Sequence, residues 1–215
     1  MSTAERRIPL VHARKIADGL REILAPACHR FEIAGSIRRE RPTVGDIEIV
    51  CIPKAGEPLA PQAALFGDPG AVRSNLLWEA IETHSDGHLR LMPIKPGVEG
   101  LEPDLRWLSK RPVGSKLFKL WLPRAQAKVE LYLCTPETWG CVFAIRTGSA
   151  VFAQSLVTRW TAVSNGGHFR DGRMCWRDGV AIPTPEEEDV FRNCRVEFLA
   201  PKDRIDGSSW KAVAA

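Results

Sequence analysis

The sequence predicts an α+β fold: a mixed β-sheet with flanking helices over residues 1–135, then a small helical and hairpin subdomain over residues 136–215. Three observations carry that prediction. The chain opens in the order helix, strand, turn, strand; two further strand-like runs precede Thr135; and beyond Thr135 come two stretches of helical apolar spacing and a hairpin signal.

Each element has its own warrant. Val11, Ile16, Leu20 and Ile23 recur near helical spacing between Ile8 and Ile23, and Pro26 follows as a stop. Phe31 to Ala34 reads as a short strand, Gly35-Ser36 breaks it, and Asp46 to Ile52 alternates or runs apolar like a half-buried strand. Lys54 to Gly70 and Pro93 to Pro103 are rich in Pro and Gly and read as loop insertions, with a helix around Asn75 to Thr83 between them. Ser115 to Leu122 and Ala127 to Leu133 are the next strands, and Thr135-Pro136 opens a new element. Helical spacing then covers Pro136 to Ile145 and Ser149 to Val163, the second ending at Gly166-Gly167. Asp171-Gly172, between His168-Phe169-Arg170 and Arg173-Met174-Cys175, marks a hairpin. Thr184-Pro185-Glu186-Glu187 predicts a short helix with Thr184 as its cap, and the tail after Arg204 is expected to be loose.

Bulk properties narrow the classes of function. With 215 residues, 44% of them apolar, the chain can fill a real core. No apolar run approaches the ~20 residues that span a bilayer. Met1 to Arg7 is polar and charged, so the expected compartment is the cytoplasm, of a bacterium or of the host of a phage. The six cysteines are scattered, form no C-x-x-C pair and sit mostly among apolar neighbours, as reduced core thiols do. The formal charge of +4 is modest, but it is unevenly spread. Arg106, Lys110, Arg111, Lys116, Lys119, Arg124 and Lys128 form a run without an acidic residue, interleaved with Trp107, Phe118 and Trp121. Such a run suits a phosphate backbone, and equally a solvated face. Trp160 and Trp176 are expected in the core, and His84 and His88, with Gly87 between them, in a loop.

Chemistry concentrates in Gly35-Ser36, Arg38-Arg39 and Gly45-Asp46-Ile47-Glu48. Residues two apart on a strand share a face, so Asp46 and Glu48 present two carboxylates side by side. Two such groups repel unless a cation lies between them, and hard divalent ions such as Mg²⁺ take carboxylates together with substrate phosphates. Gly35-Ser36 offers backbone amides and a hydroxyl to phosphate oxygens, with Arg38 and Arg39 supplying charge nearby. Together these pieces make a triphosphate-and-metal site.

The stretch Gly35-Ser36-Ile37-Arg38-Arg39 through Gly45-Asp46-Ile47-Glu48-Ile49 resembles the G-S-F-R-R-G…G-D-x-D motif of the DNA polymerase beta group, the family X polymerases. Val129-Glu130-Leu131-Tyr132-Leu133, with Trp139-Gly140-Cys141 and Thr147-Gly148-Ser149-Ala150-Val151-Phe152 after it, resembles that family's third-carboxylate strand and T-G-S-x-x-F helix start. Pro183 to Arg204, ending in Pro201-Lys202-Asp203-Arg204, is similar to its closing helix and P-K-D-R tail. The likeness spans the chain except for the insertion between Lys54 and Pro103. It implies a nucleotidyltransferase palm followed by a nucleotide- and DNA-contacting subdomain, with Asp46, Glu48 and Glu130 as the catalytic metal ligands. Gly35, Ser36, Arg39 and Gly45 would meet the triphosphate, Gly148 and Ser149 the incoming nucleotide, and Lys110 and Lys116 the DNA. The implied cofactors are two Mg²⁺ ions, with Mn²⁺ as a substitute; the implied partners are a nucleoside triphosphate and primer–template or gapped DNA. The reaction would be that of a monomeric repair-type polymerase adding nucleoside monophosphates to a DNA 3′-hydroxyl.

Departures from the pattern shape the expectations. The family has aspartate at all three metal positions, whereas Glu48 and Glu130 each carry one more methylene, which moves a carboxylate by ~1.5 Å where about 0.5 Å is tolerated. Ile145-Arg146 replaces the aromatic pair that packs on the sugar, and Ala153 stands at the base-contacting asparagine. Nothing before Ala4 encodes a lyase domain or helix-hairpin-helix units, so neither lyase activity nor a strong autonomous grip on DNA is expected, and an accessory DNA-binding protein would supply the grip. Two alternatives stand beside this reading. One is a nucleotidyltransferase acting on RNA or protein, like the minimal enzymes of toxin–antitoxin systems; the other is a non-catalytic nucleic-acid-binding module that kept the fold.

Overall fold

Pro9, with φ near −56°, ends a two-residue strand and sets the chain on course for the first helix. The structure, a computed structural model, describes residues 7–58, 73–84, 90–91, 116–208 and 210–211. In chain order the elements are β1 (Ile8–Pro9), α1 (Leu10–Leu24), β2 (Cys28–Ile33), α2 (Gly35–Arg38), β3 (Thr43–Val44), β4 (Ile47–Pro53), β5 (Ala55–Pro58), β6 (Arg73–Asn75), α3 (Leu76–Thr83), β7 (Arg90–Leu91), β8 (Leu117–Leu122), β9 (Ala127–Leu133), α4 (Trp139–Thr147), α5 (Ala150–Val163), β10 (His168–Arg170), β11 (Arg173–Cys175), β12 (Ala181–Ile182) and α6 (Glu187–Asn193). The class is α+β, a mixed sheet with flanking helices, as the periodicities predict.

The central sheet runs in the order β2-β4-β9-β8-β7, with β4 and β9 parallel and the other neighbours antiparallel. Side chains alternate across it. Ile47, Ile49, Val129 and Leu131 point to a face covered by Ala13, Ala17, Leu20 and Leu24 of α1 and Leu77 and Ile81 of α3. Ile47 and Ile49 are fully buried, each worth about 1.5–3 kcal/mol of transfer free energy. Val50, Ile52 and Tyr132 point to the other face, where Trp139 and Phe143 of α4 pack on them. One alternation earlier on that second face come Glu48 and Glu130. Thus α4 covers one end of the face, and the same strands carry carboxylates at the other.

The helix that opens the chain buries a different stripe from the one its large residues suggest. Ala13, Ala17, Leu20 and Leu24 face the sheet, whereas Val11 is 63% exposed and Ile23 is also exposed. Small residues at 13 and 17 let the helix lie close to the strands, and close approach outweighs side-chain size. Of the insertion expected over Lys54 to Gly70, β5 forms a strand paired with β6, and residues 59–70 lie outside the described ones, as do Pro93 to Pro103.

The carboxyl-terminal elements gather a second core from Cys141, Ala144, Phe152, Leu156, Trp160, Val190 and Phe191. The Asp171-Gly172 turn joins β10 to β11 with both residues at positive φ, 55° and 76°, the geometry that Asp-Gly favours in a two-residue hairpin. Three expectations are corrected here. Thr184 does not cap α6, whose cap is Glu186 in a reciprocal box with Asp189. Instead its hydroxyl and carbonyl accept the Cys141 and Gly140 amides, so it closes the first turn of α4. The described part of the tail after Arg204 is anchored: Trp210 packs edge-on against Phe152, and the Glu197 amide donates to the Lys211 carbonyl. Trp160 is buried as expected, but Trp176, tilted against it with ring centroids 5.1 Å apart, is 47% exposed. All six cysteines are free thiols, five of them buried.

Candidate active site

Gly35 opens the site. It sits at φ +59°, and a Cβ there would collide with the Glu48 carboxylate, so only glycine lets the β2–α2 turn lie against that side chain. The Ala34 amide bonds the Glu48 carbonyl at 2.8 Å, which ties the turn to β4. Register then adds the second strand: Glu48 pairs with Glu130 across the parallel β4–β9 ladder, and Glu130 pairs with Lys119 across β9–β8. Asp46 lies one residue before β4 rather than within it, contrary to the strand expected from Asp46 onward. Even so, its carboxylate reaches the same cluster through Lys128, whose Nζ is 3.3 Å from Asp46 Oδ2 and 3.4 Å from Glu130 Oε1. Lys119 Nζ lies 3.0 Å from Glu130 Oε1, and the Tyr132 hydroxyl donates to Glu130 Oε2. Arg146, at the end of α4, stacks on the Tyr132 ring at 4.0 Å and donates to its hydroxyl oxygen at 3.2 Å.

Two of the three acids, unequally served by the cations around them, titrate in opposed directions. Burial first, and then the Asp46 carboxylate, push Glu48 up to about 7, with Glu130 adding to the rise and Arg146 and Arg39 opposing it. Glu130 moves the other way: burial works against its charge, but Tyr132, Lys119 and Lys128 outweigh burial and hold it below the ordinary glutamate value. Burial also disfavours the Lys128 ammonium, and Asp46 and Glu130 more than compensate, so it stays charged. Burial and the Glu130 carboxylate raise Tyr132, which keeps it a protonated donor.

The remaining sequence-predicted residues divide by what the fold does with them. Ser36 lies in the first turn of α2, next to Gly35. Arg39 caps that turn and sends Nη1 to the carbonyls of Thr147 and Gly148 at 2.5 and 2.8 Å, while its buried Nε has no partner among the described residues. A Cβ at Gly148 would strike the Phe152 ring, and Ser149 caps α5 by accepting the Phe152 amide at 3.0 Å. Gly45 has open space around it, so close packing does not require a glycine there. Arg38 is corrected: it makes a two-pronged 2.7 Å pair with Glu187 and stacks on Phe143 at 3.8 Å, tying α2 to α6 rather than offering charge to phosphate. Lys116 is exposed and pairs with Asp171 of the hairpin at 3.2 Å. Lys110 lies outside the described residues.

Sequence reasoning missed Lys119, Lys128, Tyr132 and Arg146. The two lysines were legible only as part of a basic run, although Lys128, Glu130 and Tyr132 alternate along β9 and so had to share a face. Among the described residues no three His, Cys, Asp or Glu side chains are gathered closely enough to hold an ion, and the Lys128 ammonium lies between Asp46 and Glu130. The donor set nevertheless fits a hard divalent cation: all its ligands are carboxylate oxygens, and Mg²⁺ sites use one or two of these with substrate phosphates. An open groove of about 850 Å³ runs along α5, lined by Val151, Gln154, Ser155, Arg159 and Trp210, and none of the three carboxylates borders it. Compared with known proteins, the chain matches no family model and no curated sequence.

Proposed function

We propose that the chain is a metal-dependent nucleotidyltransferase of the polymerase beta type, transferring a nucleoside monophosphate from a nucleoside triphosphate to a DNA 3′-hydroxyl. The observation that carries this reading is the packing of the Gly35 turn against Glu48, with Glu130 its neighbour in register and Asp46 joined to Glu130 through Lys128. A glycine turn packed on one carboxylate, with two more linked to it by strand register and by Lys128, supports that reading, since the catalysis of phosphoryl transfer is positioning and charge neutralisation. Asp46, Glu48 and Glu130 would hold two Mg²⁺ ions. When bound, those ions supply neutralisation of the triphosphate and activation of the attacking hydroxyl. The turn amides after Gly35 and the Ser36 hydroxyl would supply donors for the phosphates, the Arg39 guanidinium would add charge nearby, and Ser149 fixes the start of α5.

Primer extension with each nucleotide in turn, under Mg²⁺, Mn²⁺ or EDTA, tests the proposal. Metal-dependent incorporation that Glu130→Gln abolishes is the expected result, and no incorporation by folded protein under any of these conditions would sink it. A non-catalytic binding module has one observation in its favour, namely that Tyr132, Lys119 and Lys128 already satisfy Glu130. Any incorporation excludes that module.

A further inference from the structure

Lys128 stands where two strands bring their acids together. Val129 pairs with Ile47, so the next position toward the amino terminus sets Lys128 against Asp46, and alternation along β9 puts Lys128 on the face of Glu130. The two oxygens of Glu130 are divided: Tyr132 holds Oε2, and Oε1 is shared by Lys119 at 3.0 Å and Lys128 at 3.4 Å. The carboxylate is therefore fixed in direction by the tyrosine, with its other oxygen presented to cations. Among the described residues Lys128 alone bridges two of the three acids, reaching Asp46 Oδ2 at 3.3 Å as well.

We propose that Lys128 is an internal cation that holds the metal-free site together and must be displaced before a divalent ion can bind, so that this lysine sets the metal affinity of the site. The inference rests on the metal-dependent reading above. An ammonium and a divalent ion repel each other and compete for the same oxygens, so both cannot sit between Asp46 and Glu130. Displacement is feasible because the Lys128 side chain is 30% exposed and ends a flexible four-carbon stem, which can swing its charge to water. Lys119 reaches only Glu130 among these acids and is the weaker competitor. The arrangement also bears on the longer arm of Glu130, since its carboxylate can rest on lysine in one state and turn to a metal in the other.

Mn²⁺ binding to the nucleotide-free protein, followed by electron paramagnetic resonance, tests this without any turnover. Lys128→Met keeps the apolar stem and should bind Mn²⁺ about three- to tenfold more tightly than the parent, a range set by partly exposed ion pairs. Its unfolding temperature should also rise more at the same Mn²⁺ concentration. Lys119→Met should gain less, and adding Asp46→Asn should erase the gain. Lys128→Gln guards against a fault peculiar to methionine, and circular dichroism checks that each variant is folded. Equal or weaker Mn²⁺ binding by both folded Lys128 variants overturns the inference while leaving the metal-dependent reading standing. Failure of parent and variants alike to bind Mn²⁺ overturns both.

Discussion

Glu187 and Glu48 lie in one fold, each beside arginine, and their surroundings are wired in opposite ways. Glu187 is buried and answers to two guanidinium groups, Arg38 at 2.7 Å and Arg204 at 2.6 Å, the second of them fully buried. Cations outnumber acids there. Those two arginines overcome the burial that would otherwise raise Glu187 and hold it below the ordinary glutamate value. Glu48 is half-buried among Asp46 and Glu130, and the lysines nearby are committed to those two acids. The first cluster is complete within the chain, clamping α2, α6 and the tail together. The second brings three acids together with no direct ion pair to Glu48 among the described residues; its arginine neighbours do not offset burial and Asp46, and on the proposed reading this is the place that receives a cation.

The largest effects should come from removing a carboxylate from the acid-rich cluster. Asp46→Asn should abolish turnover and weaken binding of the metal–nucleotide, because on the proposed reading Asp46 serves both ions. Glu130→Gln should abolish turnover while leaving nucleotide affinity within a few-fold, since Ser36, Arg39 and the other two acids still serve the triphosphate. Titration with a non-hydrolysable nucleotide beside single-turnover extension reads both quantities. Near-normal turnover by Glu130→Gln would remove the third ligand from the proposal.

Breaking the complete cluster should cost stability rather than chemistry. Glu187→Ala strands Arg204 in the core without its anion, and such a loss costs about 3–5 kcal/mol. Urea unfolding measures it, and a loss under about 1 kcal/mol would show that Arg204 finds water or another acceptor.

The two glutamates should also give stability opposite slopes against pH. Glu187 has a depressed folded value, so its contribution is whole above the ordinary glutamate range and fades as pH falls below about 4.3 toward that folded value. Glu48 is raised to about 7, so between about 4.3 and 7 the folded state binds a proton that the unfolded chain does not. In EDTA, stability should therefore rise as pH falls from 7 toward 5 and decline below that. Glu48→Gln should flatten the upper slope, and Glu187→Gln the lower one. Denaturant midpoints taken across pH 3 to 8 separate them, and an unchanged upper slope in Glu48→Gln would assign it to another group.

What could be read in the sequence follows the range of the interactions. β9 was legible over its full span, Ala127–Leu133, because alternation is local; so was the Asp171-Gly172 turn, because its residue types demand positive φ. Asp46 and Glu48 stood out by spacing, and Glu130 only through the family resemblance. Their company did not: Glu48 meets Glu130 only through the pairing of strands some eighty residues apart, and no local pattern says which strands will be neighbours. Arg38 and Arg39 are adjacent and alike in sequence, yet one is spent on Glu187 and the other lies on the α4 carbonyls, a division decided by helix packing. Thr184 carried a correct capping signal for the wrong helix, since a hydroxyl serves whichever amides tertiary structure brings to it.

The smallest effect expected belongs to Lys116, and it tests whether a charge outside both clusters matters to binding alone. Its ion pair with Asp171 is exposed on both sides, at 60% and 61%, so water and salt screen it and its removal should change stability by less than about 0.5 kcal/mol. If Lys116 touches a DNA phosphate, as the resemblance implies, Lys116→Ala should weaken binding to all sequences equally and lower the slope of log affinity against log salt by about one. Asp171→Ala supplies the converse: it frees Lys116 and should leave the slope unchanged or slightly steeper. A salt titration of both variants against the parent measures the difference by fluorescence anisotropy. An unaltered slope in Lys116→Ala would place the DNA path away from the β8–hairpin edge and leave Lys116 as no more than the hairpin's surface partner.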